Sequence, residues 1–154
     1  MKVHHRERAV GVRAAGQAVL DDWERAGPHE ILVAPNGGLR TSEALQAGLA
    51  AGGNSGANTL RSTPHGRGAA IDAWPVSFLP FVPVAHGGTG KRWLAWKDLP
   101  QLVRDEFLTW GLFLEARGWR WGGRFRGHLF PDGDQPHGEE QHWTRLPFPP
   151  PKVP

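Results

Sequence analysis

The sequence predicts a single α+β domain over residues 1–146, followed by a proline-rich tail over residues 147–154. Helical periodicity occurs near the start and the middle of the chain, and short strand-like segments lie beside the candidate site residues. A chain of 154 residues with 39% hydrophobic content is large enough for one well-formed core and short for two. The tail is expected to be extended, because proline fixes φ and lacks a backbone N–H group.

The first half of the domain alternates helix and strand patterns. Residues 5–26 carry apolar side chains at helical spacing and are expected to form one helix. Residues 30–34 predict a strand, which the turn-forming residues 35–38 close. A short helix is expected over residues 41–51, with Thr41 or Ser42 as its N-cap.

The second half carries an irregular segment, a helix and a strand. Residues 75–90 are rich in proline and glycine, and such a long loop beside a site is a candidate lid or cleft wall. Residues 98–101 predict a capping box for a helix that ends at Gly118. One stripe of this helix is expected to be core: Leu99, Val103, Phe107, Trp110 and Leu114. Residues 118–123 predict a strand that runs into two glycines.

His65 and Asp72 stand at the two ends of a glycine-rich stretch. Residues seven apart are separated by about 10 Å on a helix and by roughly 23 Å on a strand, so one metal ion could bind both only if the chain doubles back. Gly66 and Gly68 can adopt the backbone geometry that this reversal needs. The strand that follows is expected to turn Asp72 toward a cleft and Ile71 toward a core. A plain surface loop is the alternative interpretation.

A second short motif supplies further metal-ligand chemistry. The chain has no cysteine, so disulfides and thiolate sites are excluded and a metal must be held by His, Asp and Glu. His65, Asp72 and His142 would leave one coordination position open, as in catalytic zinc sites. Glu139, three residues before His142, is the candidate general base. Arg40, just before a predicted helix, is the candidate that stabilises an oxyanion or holds a substrate carboxylate.

The pattern His65-x-x-Gly68-x-Ala70-x-Asp72, followed by Glu139-x-x-His142-Trp143, resembles the zinc D-alanyl-D-alanine metallopeptidases of bacterial cell-wall metabolism. That family includes vancomycin-resistance dipeptidases and carboxypeptidases, and phage L-alanyl-D-glutamate endolysins. The resemblance covers most of the chain between residues 37 and 146, with a threonine where the family has a serine two residues before the first histidine. It implies a small antiparallel sheet that carries the zinc site and is packed with helices, the hedgehog or D,D-peptidase-like fold.

The same resemblance leaves the second ligand histidine and the base open. Phage members often carry an Asp-x-x-His-aromatic signature, and Asp134-x-x-His137 offers a rival to the motif that ends at His142. We favour His142 because Trp143 and a strand-like segment follow it, whereas glycine follows His137. Three carboxylates remain possible as the base: Glu139, Glu140 and Asp134.

The resemblance implies zinc-dependent hydrolysis of a peptide bond in bacterial peptidoglycan. Among the members of the family, a phage L-alanyl-D-glutamate endopeptidase is the expected type. A D-alanyl-D-alanine carboxypeptidase or dipeptidase is one alternative, and an inactive zinc-containing wall-binding module is another. The net charge of +3 suits an anionic partner, but no basic run or aromatic RNA-binding motif supports nucleic-acid binding. We expect a monomer that acts on the peptidoglycan stem peptide without a membrane partner. We also expect cytoplasmic synthesis without a signal peptide and action at the cell wall.

Overall fold

The computed structural model of the protein describes residues 1–39, 63–127 and 134–146. Its described strands form one sheet: β1 Val3–His4, β2 Ile31–Val33, β3 Ala70–Pro75, β4 Trp119–Trp121 and β5 His137–Glu140. Their order across the sheet is β1-β2-β3-β5-β4. β1 runs parallel to β2, and the remaining neighbours are antiparallel. The α+β class predicted from the sequence is therefore confirmed, whereas the sheet is mixed because of β1.

The first helix is shorter than the sequence pattern suggests. The helix α1 covers Ala14–Ala26, and a separate 3₁₀ helix covers Arg6–Ala9. The predicted continuous helix over residues 5–26 is wrong, because Gly11 adopts φ +89° between the two elements. A left-handed backbone of this kind favours glycine and does not continue a right-handed helix.

The second helix, α2, covers Gln101–Ala116. The predicted capping box is wrong: Asp98 belongs to a separate 3₁₀ turn, and Pro100 precedes the helix without a side-chain cap. The predicted core stripe is confirmed, since all of its members are buried: Leu99, Val103, Phe107, Trp110 and Leu114. Within the described ranges, neither α1 nor α2 nor any shorter helix is long and apolar enough to cross a bilayer.

The central strands bury side chains on both faces of the sheet. On one face, Ile31 and Ile71 pack in the cluster that includes Trp23 of α1. On the other face, Leu32 and Trp74 pack in a second cluster with residues of α2. Because successive side chains of a strand alternate between faces, Asp72 lies on the same face as Trp74 and opposite Ile71. This confirms the expected orientation of Asp72.

Three sequence predictions fall on residues outside the described ranges. They are the helix expected over residues 41–51, the position of Arg40 and the extended tail over residues 147–154.

Candidate metal centre

Three side chains converge at the junction of β3 and β5. His65, Asp72 and His137 each offer one ligand atom, and these atoms lie within 4.8 Å of one another. The Nε2 atom of His65 lies 3.2 Å from Oδ1 of Asp72, and Nδ1 of His137 lies 2.8 Å from the same oxygen. Both histidines are buried, and Asp72 keeps 19% of its side chain exposed. A group of this composition could bind a metal ion.

The chain reversal expected between His65 and Asp72 is present. Residues His65–Arg67 form one 3₁₀ turn, and Gly68 follows with φ +68°. A Cβ atom at Gly68 would lie 2.7 Å from the carbonyl oxygen of Gly11, so space as well as conformation requires glycine there. The turn returns the chain to β3, which brings Asp72 back beside His65.

A hydroxyl group supports the same turn. The side chain of Thr63 accepts a hydrogen bond from the backbone N–H of Gly66 at 2.9 Å. Serine can make this bond through the same oxygen. Thr63 therefore makes the hydrogen bond that a serine would make at this position.

The second histidine of the group is His137 and not the predicted His142. In the register of β3 and β5, His137 lies directly opposite Asp72, so their side chains share one face of the sheet. β5 ends at Glu140, and His142 follows it with φ 61°, exposed to solvent, before a 3₁₀ turn. The strand expected after His142 does not form, because residues 143–145 make a 3₁₀ turn. His142 lies outside the group that contains Asp72.

Each histidine of the group has its outer ring nitrogen engaged. Nδ1 of His65 lies 2.9 Å from the carbonyl oxygen of Gly38, and Nε2 of His137 lies 2.8 Å from Oε1 of Glu139. Metal-binding histidines commonly donate their second ring N–H to such an acceptor, which orients the ring and fixes the tautomer. The two nitrogens left for a ligand are therefore Nε2 of His65 and Nδ1 of His137, the two that face Asp72.

Gly38 reaches His65 because the preceding turn packs tightly against neighbouring backbone. A Cβ atom at Gly38 would lie 2.4 Å from the carbonyl oxygen of Arg8, and one at Gly37 would lie 2.5 Å from that of Asp72. The backbone N–H of Asp72 also donates to the carbonyl of Gly37 at 2.8 Å. The glycine pair thus fixes both an acceptor for His65 and the backbone of the carboxylate ligand.

Glu139 connects the group to a surface arginine. Its side chain is 6% exposed, and its Oε2 accepts a hydrogen bond from Nη1 of Arg120 at 3.3 Å. Arg120 lies directly opposite Glu139 in the register of β4 and β5. Glu139 therefore contacts His137 from the side away from Asp72. The sequence held a signal for this role, since residues two apart on a strand share one face.

Burial and neighbouring charges shift the pKa values of the carboxylates and of His137 at this site. Burial alone would raise the pKa of Asp72, but the two neighbouring histidines outweigh burial and hold it well below its usual range. Burial alone would lower the pKa of His137, yet its hydrogen bonds to Asp72 and Glu139, with the charges of Asp72 and Asp134, raise it to about 10. Burial raises the pKa of Glu140, which lies next to Glu139 but outside the group.

A groove of about 540 Å³ opens beside the group. Asp72 forms part of its wall together with Asp134, Trp74 and Trp93. Asp134 begins the turn that leads into β5, and its carbonyl oxygen accepts the backbone N–H of His137 at 3.0 Å. Asp134 therefore lies three residues before His137 and lines the same groove as Asp72. The irregular segment predicted as a lid or cleft wall contributes Phe78 and other residues to this groove.

No model of a known protein family matches the chain, and no curated protein matches it. The interpretation of the centre therefore depends on its own geometry and donor chemistry. Two imidazole nitrogens and one carboxylate oxygen form a donor set that suits zinc, and three protein ligands are typical of catalytic zinc sites. The hydrogen-bonded outer nitrogens of His65 and His137 are also typical of metal-binding histidines.

Proposed function

We propose that this protein is a zinc-dependent peptidase that hydrolyses a peptide bond in bacterial peptidoglycan, as a phage-type L-alanyl-D-glutamate endopeptidase with a hedgehog or D,D-peptidase-like fold. One observation carries the proposal. His65, Asp72 and His137 converge at the edge of a groove, and both histidines have their outer nitrogens paired. The resemblance of the residue 65–72 pattern to the D,D-peptidase family supplies the substrate class.

In this proposal, Nε2 of His65, Oδ1 of Asp72 and Nδ1 of His137 would hold the zinc. When bound, zinc supplies Lewis acidity and makes a water molecule available as a nucleophile at neutral pH. Gly38 and Glu139 would keep the two imidazole rings oriented by accepting their second N–H groups. The groove beside Asp72 would receive the peptide.

We assign the general base to Asp134 instead of Glu139. Both carboxylate oxygens of Glu139 are engaged, one by His137 and the other by Arg120, and the side chain is buried. Asp134 lines the groove with Asp72 and precedes His137 by three residues. The Asp134-x-x-His137 spacing is the one that resembles the phage members of the family. Asp134 would accept a proton from the attacking water and deliver it to the departing amine.

Arg40 keeps the role given to it by the sequence. It lies outside the described residues, so the proposal for it rests on the resemblance and on chemistry alone. A guanidinium group can bind a carboxylate or a developing oxyanion with two parallel hydrogen bonds. Stem peptides carry carboxylates, and hydrolysis of an amide develops negative charge on the carbonyl oxygen.

Digestion of purified peptidoglycan tests the proposal. The intact protein, the protein treated with a chelator and the chelated protein supplied again with zinc are compared by mass spectrometry of the released fragments. Fragments with a new amino terminus at D-glutamate, lost with chelation and restored with zinc, are expected. Release of free D-alanine would favour the carboxypeptidase alternative. Binding to peptidoglycan without any release, by a protein that retains zinc, would favour the inactive module. His65→Ala serves as the variant without a complete ligand set.

A further inference from the structure

We infer that Trp93 forms a stacking subsite for a pyranose ring of the peptidoglycan glycan strand, in the groove beside the candidate metal centre. This inference rests on the proposed function and names the part of the substrate that the groove would bind. Its occupant is a neutral N-acetylated sugar next to the peptide, and not the stem peptide itself.

Trp93 is partly exposed and also packs against other aromatic rings. The residue is 48% exposed and lines the groove that also contains Asp72. Its ring centroid lies 6.3 Å from those of Trp74 and Phe78, and 5.3 Å from that of His86. Trp74 and Phe78 are themselves buried. The indole is therefore held by buried aromatic rings while much of its surface remains available to a ligand.

Residues 82–90, which precede Trp93 and include His86, are held by backbone hydrogen bonds. The N–H of Val84 donates to the carbonyl of Gly90 at 3.2 Å, and the N–H of Gly90 donates to that of Val82 at 2.9 Å. A Cβ atom at Gly88 would lie 2.0 Å from the carbonyl oxygen of Val82, so this approach requires glycine. His86 of this segment contacts the Trp93 ring, and such a fixed neighbour reduces the entropy lost on binding.

The groove combines aromatic and polar groups in a way that matches a sugar. A pyranose ring presents a flat face of C–H bonds, which suits the face of an indole, and a rim of hydroxyl and acetamido groups. Asn36, His86 and Gln135 line the same groove and offer donors and acceptors for such a rim. A purely apolar ligand would cover Trp93 but would displace water from these polar groups without replacing its hydrogen bonds.

Distance within the substrate agrees with a glycan subsite in the same groove. In peptidoglycan, one alanine residue separates the L-alanyl-D-glutamate bond from the lactyl group of the sugar. One residue spans at most about 3.6 Å. A sugar attached so close to the scissile bond would have to lie beside the metal centre, where the groove is.

The test is a titration of the full-length protein followed through its eight tryptophan indole N–H signals in two-dimensional NMR. The signal of Trp93 is assigned by its disappearance in Trp93→Phe. The probes are the disaccharide of N-acetylglucosamine and N-acetylmuramic acid with its lactyl carboxyl group converted to the methylamide, and the free tripeptide L-Ala-D-Glu-L-Lys. We expect the disaccharide to shift the Trp93 signal and the free tripeptide to leave it unmoved. An unmoved Trp93 signal at high disaccharide concentration, or a shift caused by the tripeptide alone, overturns the inference.

Affinity measurements on variants add a second criterion. Loss of one aromatic contact should raise the Kd for the disaccharide about fivefold or more in Trp93→Ala, with a smaller rise in Trp93→Phe. Leu102→Ala removes another exposed apolar side chain, on α2 and outside the groove, and should leave the Kd unchanged. Equal affinity of Trp93→Ala and the wild type overturns the subsite. Circular dichroism checks that each variant is folded. The wild-type titration decides the question, and Trp93→Phe serves it only to assign the Trp93 signal.

The subsite and the proposed hydrolysis can fail separately. A shift of the Trp93 signal by the disaccharide, together with no fragment release from peptidoglycan, would leave the subsite standing and overturn the proposed hydrolysis. Fragment release by a protein whose Trp93 signal does not respond to the disaccharide would overturn the subsite alone.

Discussion

Asp72 and His137 lie directly opposite each other on β3 and β5, with 2.8 Å between Oδ1 and Nδ1. Sixty-five positions separate them in the sequence. Cross-strand partners on one face have their Cβ atoms about 4.5–5.5 Å apart, close enough for both side chains to reach one metal ion. The pairing of these two strands therefore decides which histidine joins His65 and Asp72.

Metal content should distinguish the two histidines. We expect His137→Ala to lose stoichiometric zinc, as should His65→Ala, because each removes one of three converging donors. His142→Ala should retain zinc, since this exposed side chain lies beyond the end of β5. Elemental analysis of dialysed protein gives the result. Retention of zinc by the His137 variant together with its loss from the His142 variant would reverse the assignment.

Asp134→Asn should separate catalysis from metal binding. The variant is expected to keep its zinc and to lower the turnover of peptidoglycan by about 10²–10⁴, the usual effect of removing a positioned general base. Steady-state rates on a defined muropeptide measure this. Glu140→Gln is the matched control and should retain turnover, because Glu140, unlike Asp134, does not line the groove. Full activity of Asp134→Asn would return the base to another carboxylate.

Glu139→Gln should weaken metal binding more than it affects folding. The amide can still accept a hydrogen bond from Nε2 of His137, but it lacks the charge that accompanies the bond. Losing a partner of a metal-binding histidine commonly costs about 10–100-fold in metal affinity. Competition with a chelator of known affinity measures the change. Glu115→Gln, whose carboxylate pairs with Arg124 elsewhere on the surface, is the control. An unchanged zinc affinity in Glu139→Gln would show that Glu139 does not support His137 in this way.

Zinc binding should release a proton, and its affinity should rise with pH. Burial works to lower the pKa of His137, but hydrogen bonds to Asp72 and Glu139 raise it to about 10 from an ordinary 6.5, so the metal-free protein holds this proton at pH 7. A metal ligand must be deprotonated, so affinity should increase up to about tenfold per pH unit below that pKa. Calorimetry at pH 7 in two buffers with different ionisation enthalpies counts the protons. No proton release would contradict the raised pKa.

The same raised pKa predicts the opposite trend for the metal-free fold. A group whose pKa is higher in the folded state stabilises that state most below its unfolded pKa and loses this contribution as pH rises. The contribution of His137 should therefore be complete below about pH 6.5 and fade as pH approaches about 10. Urea unfolding of chelated protein at pH 6 and pH 10, with His137→Gln as the variant that lacks this group, measures the difference. A difference between wild type and variant that grows with pH would contradict it.

Arg40→Lys should damage catalysis and not folding. Lysine keeps the positive charge but loses the planar two-donor geometry of the guanidinium group. We expect unchanged zinc content and Tm, with kcat/KM reduced by about 10²–10³, the scale of one lost oxyanion donor. Differential scanning fluorimetry and muropeptide kinetics measure the two effects. A large fall in Tm would assign Arg40 to the fold instead.

The parts of the molecule that the sequence predicted correctly depend on neighbouring residues. The reversal between His65 and Asp72 follows from the conformational freedom of Gly68 within seven residues. The buried stripe of α2 follows from the helical period. The absence of cysteine confined any metal ligands to histidine and carboxylate side chains. None of these predictions depends on which distant strands pair.

Tertiary structure decided the features that depend on strand pairing. From the sequence, His137 and His142 were both possible partners for His65, and only the register of β5 against β3 places His137 opposite Asp72. The same register places Glu139 opposite Arg120, which binds one oxygen of its carboxylate. Register is set by side-chain packing across the whole sheet, and a shift of one residue reverses every face. A motif of four residues carries no information about that choice.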